Sequence, residues 1–128
     1  MLEESELLRD EDYHALFENL PYPVIIRHLE LGRYVFVNQA FERAFGFPRA
    51  EILGRRPDEL NLCASREIKE RLVQKVQKGQ ARMGESVPVR TRDGRVIDCT
   101  LRASPVVLGD SILIVGILTE PSEIIARV

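Results

Sequence analysis

Apolar residues along this chain switch between helical and strand periodicities, and the switches mark its elements. Tyr13, Leu16, Phe17 and Leu20 recur at i, i+3, i+4 and i+7, which predicts a helix over residues 3–19, closed by Pro21 and Pro23. Before Tyr13 the segment is highly charged, and Leu7 and Leu8 give it a thin apolar face. Val24-Ile25-Ile26 is apolar without alternation, as in a strand buried on both faces. A polar connector through Gly32 leads to Tyr34–Val37, whose β-branched and aromatic residues suit a strand. Asn38 then caps a helix over Gln39–Phe45, and Gly46 sits where a helix end needs a left-handed residue. Gly54 repeats that arrangement after Pro48–Leu53. Arg55–Leu62 reads as an irregular link. The best helix is Ser65–Gly79, with Ser65 as N-cap, Glu67 in the first turn, Lys75 and Lys78 in the last, and Gly79 as terminator. Ile68, Leu72, Val73 and Val76 form its core-facing stripe.

The remainder is a meander. Glu85–Arg92 alternates, with Val87 and Val89 on one face, and Pro88 assigns it to a sheet edge because it cannot donate to a ladder. Asp93-Gly94 is a strong hairpin signal. Val96–Ala103 places Ile97, Cys99, Leu101 and Ala103 on one face. Gly109-Asp110 makes a turn, and Ile112–Leu118, apolar on both faces, is a central strand. Two strands, a run of small helices and a three-stranded meander predict an α+β fold: a five-stranded antiparallel sheet with short helices on one face and an N-terminal helix.

The densest punctuation lies between Tyr34 and Asp58. A strand is followed by Asn38, Ala40 and Phe41, then Phe45-Gly46, then Glu51 and Gly54, and later by Arg92-Asp93-Gly94-Arg95 between two strands. In order and spacing these residues resemble the PAS (PAS/PAC) sensory module family. The resemblance spans residues 16–120 as the domain, leaving 1–15 as an N-terminal helical extension and 121–128 as the start of an output helix or linker. It implies a strand order with the first and fifth strands central and the second and third at the edges. It also implies a cavity between sheet and helices, lined by Val35, Val37, Phe41, Phe45, Ile52, Leu53, Leu72, Cys99 and Leu101. The alternative is that these residues fill a dry core. Many family members leave the fifth strand through Asp-Ile-Thr; the matching Ile117-Leu118-Thr119 lacks the Asp. Pro121–Val128, with Ser122 as N-cap, reads as a helix beginning, as in a fragment of a longer signalling protein.

Composition narrows the chemistry. Eighteen Lys and Arg against twenty Asp and Glu leave a net charge of −2, so nothing global attracts nucleic acid. Arg82, Arg90, Arg92, Arg95 and Arg102 gather on the hairpin strands, but without the interleaved aromatic platform of single-strand binding. No apolar run approaches the ~20 residues of a membrane span, and the N-terminus is acidic, unlike a signal peptide. The two cysteines, Cys63 and Cys99, read as free thiols in a reducing cytoplasm. No catalytic triad, carboxylate pair, phosphate loop or metal cluster is present, and His14 and His28 are isolated, so no enzyme and no metal site is expected. Residues 64–79 contain no His, Met or Cys to ligate haem. Cys63 stands in Asn-Leu-Cys-Ala-Ser rather than the Asn-Cys-Arg-Phe-Leu-Gln of light-oxygen-voltage flavoproteins. Neither cofactor is expected; a small organic ligand is what the cavity would take.

The resemblance therefore implies a cytoplasmic sensor of a bacterial signal-transduction protein, relaying a ligand or cue to an effector in cis or trans. That effector would be a histidine kinase of a two-component system or a diguanylate cyclase. The alternative is a ligand-free dimerisation or protein-interaction module. Strands apolar on both faces need cover on both, which points to a homodimer.

Overall fold

The computed structural model describes residues 15–78 and 84–120. Within them, strands β1 (Val24–His28), β2 (Arg33–Val37), β3 (Glu85–Arg90), β4 (Val96–Leu108) and β5 (Ser111–Thr119) form one antiparallel sheet in the order β2-β1-β5-β4-β3. Between β2 and β3 run helices α1 (Gln39–Phe45), α2 (Arg49–Ile52), α3 (Pro57–Leu60) and α4 (Arg66–Gln77). The strands expected to be central and at the edges take those places. Of the expected N-terminal helix, residues 15–18 are helical. Its earlier part, Gly79, Arg82 and the expected helix over 121–128 lie outside the described residues.

Local chemistry explains most element ends. Asn38 Oδ1 accepts the Phe41 N–H at 3.0 Å to cap α1, and Gly46 closes it at φ 81° with its N–H on the Glu42 carbonyl. Ser65 Oγ accepts the Ile68 N–H at 3.2 Å at the start of α4. The β3–β4 turn is pinned by Thr91, whose N–H donates to the Arg95 carbonyl at 2.8 Å and whose Oγ1 accepts the Arg95 N–H at 2.9 Å. At the outer edge of β3, the Pro88 carbonyl accepts the Ala64 N–H and the Arg90 N–H donates to the Leu62 carbonyl. The N–H that Pro88 lacks would thus face this outer side, not the ladder with β4, which is why proline is tolerated there.

Three features depart from the sequence reading. Arg55–Leu62 is not wholly irregular: Pro57 starts the one-turn helix α3, Glu59 Oε1 accepts the Arg56 N–H at 3.0 Å, and Asn61 ends it left-handed at φ 52°. Strand β4 runs five residues past Ala103 to Leu108. Beyond Leu101 it has outrun β3 and pairs only with β5, so the missing N–H of Pro105 removes no bond from the sheet interior. Finally, β2 carries a bulge. Ile26 faces Phe36 but Arg27 faces Tyr34, leaving Val35 without a partner.

The sheet has two apolar faces. On the inner one, Val37, Phe41, Phe45, Phe47, Ile52, Val87, Val89, Cys99 and Leu118 form the main core. On the outer one, Val24, Ile26 and Phe36 are buried with Leu113, Val115 and Ile117 beneath Phe17 and Leu20. The Phe17 and Phe36 rings lie 6.0 Å apart. The described end of the N-terminal segment thus covers part of the outer face.

Candidate functional site

Helix α4 and the α3 region do not close fully on the sheet. Between them lies a cavity of about 180 Å³. Its floor is the inner sheet face: Ile25 and Arg27 of β1, Tyr34 of β2, Ile114, Gly116 and Leu118 of β5, Leu101 and Ala103 of β4, and Glu85, Val87 and Val89 of β3. Leu72 and Val73 of α4, Phe41 of α1, and Leu62 and Cys63 after α3 supply the roof and walls, with the stems of Lys69 and Lys75 at the rim. Room exists because Gly116 stands in the central strand opposite Ile25 and Ala103. A Cβ there would approach Leu101 Cδ1 to 3.2 Å and Ile25 Cγ2 to 3.4 Å.

The polar groups of this cavity differ in their partners. Lys75 pairs with Glu85, and Arg71 approaches the same carboxylate at 3.7 Å. Lys69 pairs with Asp58, holding that carboxyl below its ordinary range. Arg27 and Tyr34, opposite each other across β1 and β2, have no side-chain hydrogen bond or ion pair among the described residues. Burial pushes the Tyr34 phenol up to about 12, against a smaller lowering by Arg27. The phenol is therefore a neutral donor at any physiological pH.

A family model for the PAS fold matches residues 11–120. The chain belongs to the PAS family. Its structure is similar to the PAS domain of Bordetella pertussis BvgS, with 26% identity, 91% of each chain covered and a TM-score of 0.65. It is also similar to a domain of a sensory box sensor histidine kinase/response regulator from Geobacter sulfurreducens, with 28% identity over 88% of this chain and 94% of that one, and a TM-score of 0.66. The LOV domain of a blue-light activated histidine kinase from Erythrobacter litoralis shares the fold at 23% identity, covering 80% of this chain and 98% of that one, with a TM-score of 0.68. No curated protein matches the chain with significance.

In this PAS domain the residues expected to line the cavity fall into three groups. Phe41, Leu72 and Leu101 line it. Val37, Phe45, Ile52 and Cys99 are buried in the adjoining core. Val35 and Leu53 are 44% and 40% exposed. The bulge is the reason at Val35: it breaks the two-residue alternation, so Tyr34 and Val37 take the inner face while Val35 is turned out. The polar liners Arg27 and Tyr34 were missed because Arg27 continues β1 beyond the apolar triplet and Tyr34 reads as an ordinary strand residue. A strand extended by two residues to His28 would have put Arg27 on the face of Ile25.

Asn38 lies apart from the cavity and does structural work. Besides capping α1, its Oδ1 accepts the Val24 N–H at 2.9 Å. Its Nδ2 donates to the carbonyls of Phe17 and Tyr22, each at 2.9 Å. One buried amide thus ties the N-terminal segment, the start of β1 and α1 together. Nearby, Arg49 bridges Glu18 at 2.8 Å and Glu42 at 3.0 Å, joining the same segment to the helices.

Among the described residues, no group of His, Cys, Asp and Glu is arranged to hold a metal ion, and no helix is long and apolar enough to cross a membrane. Among the described residues the cavity liners include no His or Met, and Cys63 is the one thiol among them. What the arrangement offers is a half-open apolar hollow with one cation and one phenol at one end.

Proposed function

We propose that this PAS domain is a sensor that holds a small organic ligand between α4 and the sheet. Occupancy is relayed through β5 to an effector in cis or trans, a histidine kinase or a diguanylate cyclase, in the cytoplasm of a bacterium. The observation that carries this reading is the hollow itself. A central strand otherwise built of Ile, Leu and Val over Ile112–Leu118 places glycine opposite alanine, and the space this leaves presents mainly apolar surface. A volume near that of apolar cavities known to admit a single aromatic ring, about 150 Å³, sets the ligand size. The similarity to histidine-kinase sensor domains supports the effector.

Native mass spectrometry of protein purified from its own host tests the reading. A stoichiometric small-molecule adduct is expected, lost in a Gly116→Val variant that fills the hollow. A bare mass under the same gentle conditions, unchanged by Gly116→Val, would count against it.

A second reading, a homodimerisation module, has its own support. Leu16 is 56% exposed, and Val106, opposite the outer-face residue Leu113 near the end of the β4–β5 hairpin, is 40% exposed. Exposed apolar residues on the outer-face helix and the hairpin tip suit a second copy of the chain. The two readings are compatible, because a dimer on the outer face leaves the inner cavity free.

A further inference from the structure

The unpaired groups in the cavity suggest the chemistry of its ligand. The Lys75, Glu85 and Lys69 charges are answered by protein partners. Arg27 is answered by none among the described residues, and it sits beside a phenol in a cavity whose other charged liners are paired and whose remaining surface is mainly apolar. A partly buried guanidinium left beside hydrocarbon loses hydration without compensation, so an anion that enters gains more there than at an open surface. We propose that this end of the cavity binds the carboxylate of a small aromatic or short-chain acid, Arg27 clasping the anion and Tyr34 donating a hydrogen bond to it. The inference rests on the reading of the cavity as a ligand site and names the class of ligand.

Three features select a carboxylate. The guanidinium fork matches a planar carboxylate with two parallel hydrogen bonds. A single cation balances one negative charge, whereas a phosphate dianion would leave one unanswered. Leu72, Val73, Val87 and Leu118 offer a ring or short chain dispersion contacts. Tyr34 is kept in donor form by its surroundings, so the hydrogen bond does not depend on pH in the physiological range.

Benzoate and its neutral analogue benzyl alcohol separate the terms. Their binding is measured by calorimetry and by chemical-shift changes of the methyl groups of Leu72, Val87 and Leu118. Wild-type protein is expected to prefer benzoate, at neutral pH and low salt. Arg27→Met keeps the stem and removes the charge; it is expected to weaken benzoate by roughly ten- to hundredfold while leaving benzyl alcohol unchanged. Arg27→Lys should fall between, and Tyr34→Phe should lose several-fold for benzoate. Because Arg27 has no hydrogen-bond or ion-pair partner among the described residues, the Arg27 variants are expected to melt as wild type does. Equal binding of both probes, with no effect of Arg27→Met, would overturn the carboxylate assignment and leave the cavity reading standing. Binding of neither probe at millimolar concentration, with no shifts at the cavity methyls, would overturn the cavity reading and the assignment with it.

Discussion

Replacing Asn38 with Ala should be among the most damaging single changes outside the apolar core. The side chain is fully buried. Its Oδ1 serves the N–H groups of Val24 and Phe41, and its Nδ2 the carbonyls of Phe17 and Tyr22. Alanine restores none of these bonds. At a net value of about 1 kcal/mol per hydrogen bond, the expected loss is about 3–5 kcal/mol. That is a large share of the stability of a typical small domain, and lowers the melting temperature by roughly 10–20 °C at this chain length. The assay is urea unfolding of wild type, Asn38→Ala and Asn38→Ser, with the slope against denaturant as a check that the states compared are the same. Serine can still cap α1 but reaches neither Phe17 nor Tyr22, so it should recover only about 1 kcal/mol, the usual value of a cap. Asn38→Ala losing no more than that, or Asn38→Ser matching wild type, would show that the ties to β1 and the N-terminal segment are energetically idle. Since Asn38 does not line the cavity, benzoate affinity per folded molecule should be unchanged; its loss in a variant that melts like wild type would make Asn38 a recognition residue.

Tyr34 is protonated in the folded state up to about 12, above its value in the unfolded chain. Its contribution to stability is complete below pH ~10 and is lost as pH rises towards ~12, so the urea midpoint should fall over that interval in wild type and fall less in Tyr34→Phe. Glu42 shifts the other way: the hydrogen bond from the Arg49 side chain, then that from the Arg49 N–H, lowers its pKa from 4.5. Stability from this carboxylate is present above the unfolded value and lost as pH falls through the folded one, so acid unfolding should be blunted in Glu42→Gln. Sedimentation should show a homodimer that Leu16→Glu dissociates; a monomer at high micromolar concentration in the wild type would remove the dimer.

What the sequence determined is what short stretches can specify without knowing their neighbours. Gly46 and Gly54 adopt left-handed backbone wherever the chain around them lies. Asp93-Gly94 turns, Ser65 caps, and the alternation of Val87 and Val89 or of Cys99 and Leu101 chooses a face because the strand period is two. The two-sided apolarity of Val24–Ile26 and Ile112–Leu118 even assigned the central positions. The cavity was legible only in part, because it depends on pairing. The bulge that turns Val35 outward is a mismatch between β1 and β2 that neither strand carries alone, and it places Tyr34 opposite Arg27. Gly116 reads as a weak point in a strand until Ala103 and Ile25 are brought beside it and the three together leave a hollow. Asn38 reads as a cap three residues from Phe41, while its bonds to Phe17, Tyr22 and Val24 span 14 to 21 residues. Local geometry is fixed by sterics and hydrogen bonds within a few residues. Which side chains meet, and which charge is left without a partner, is decided only when distant strands settle into register.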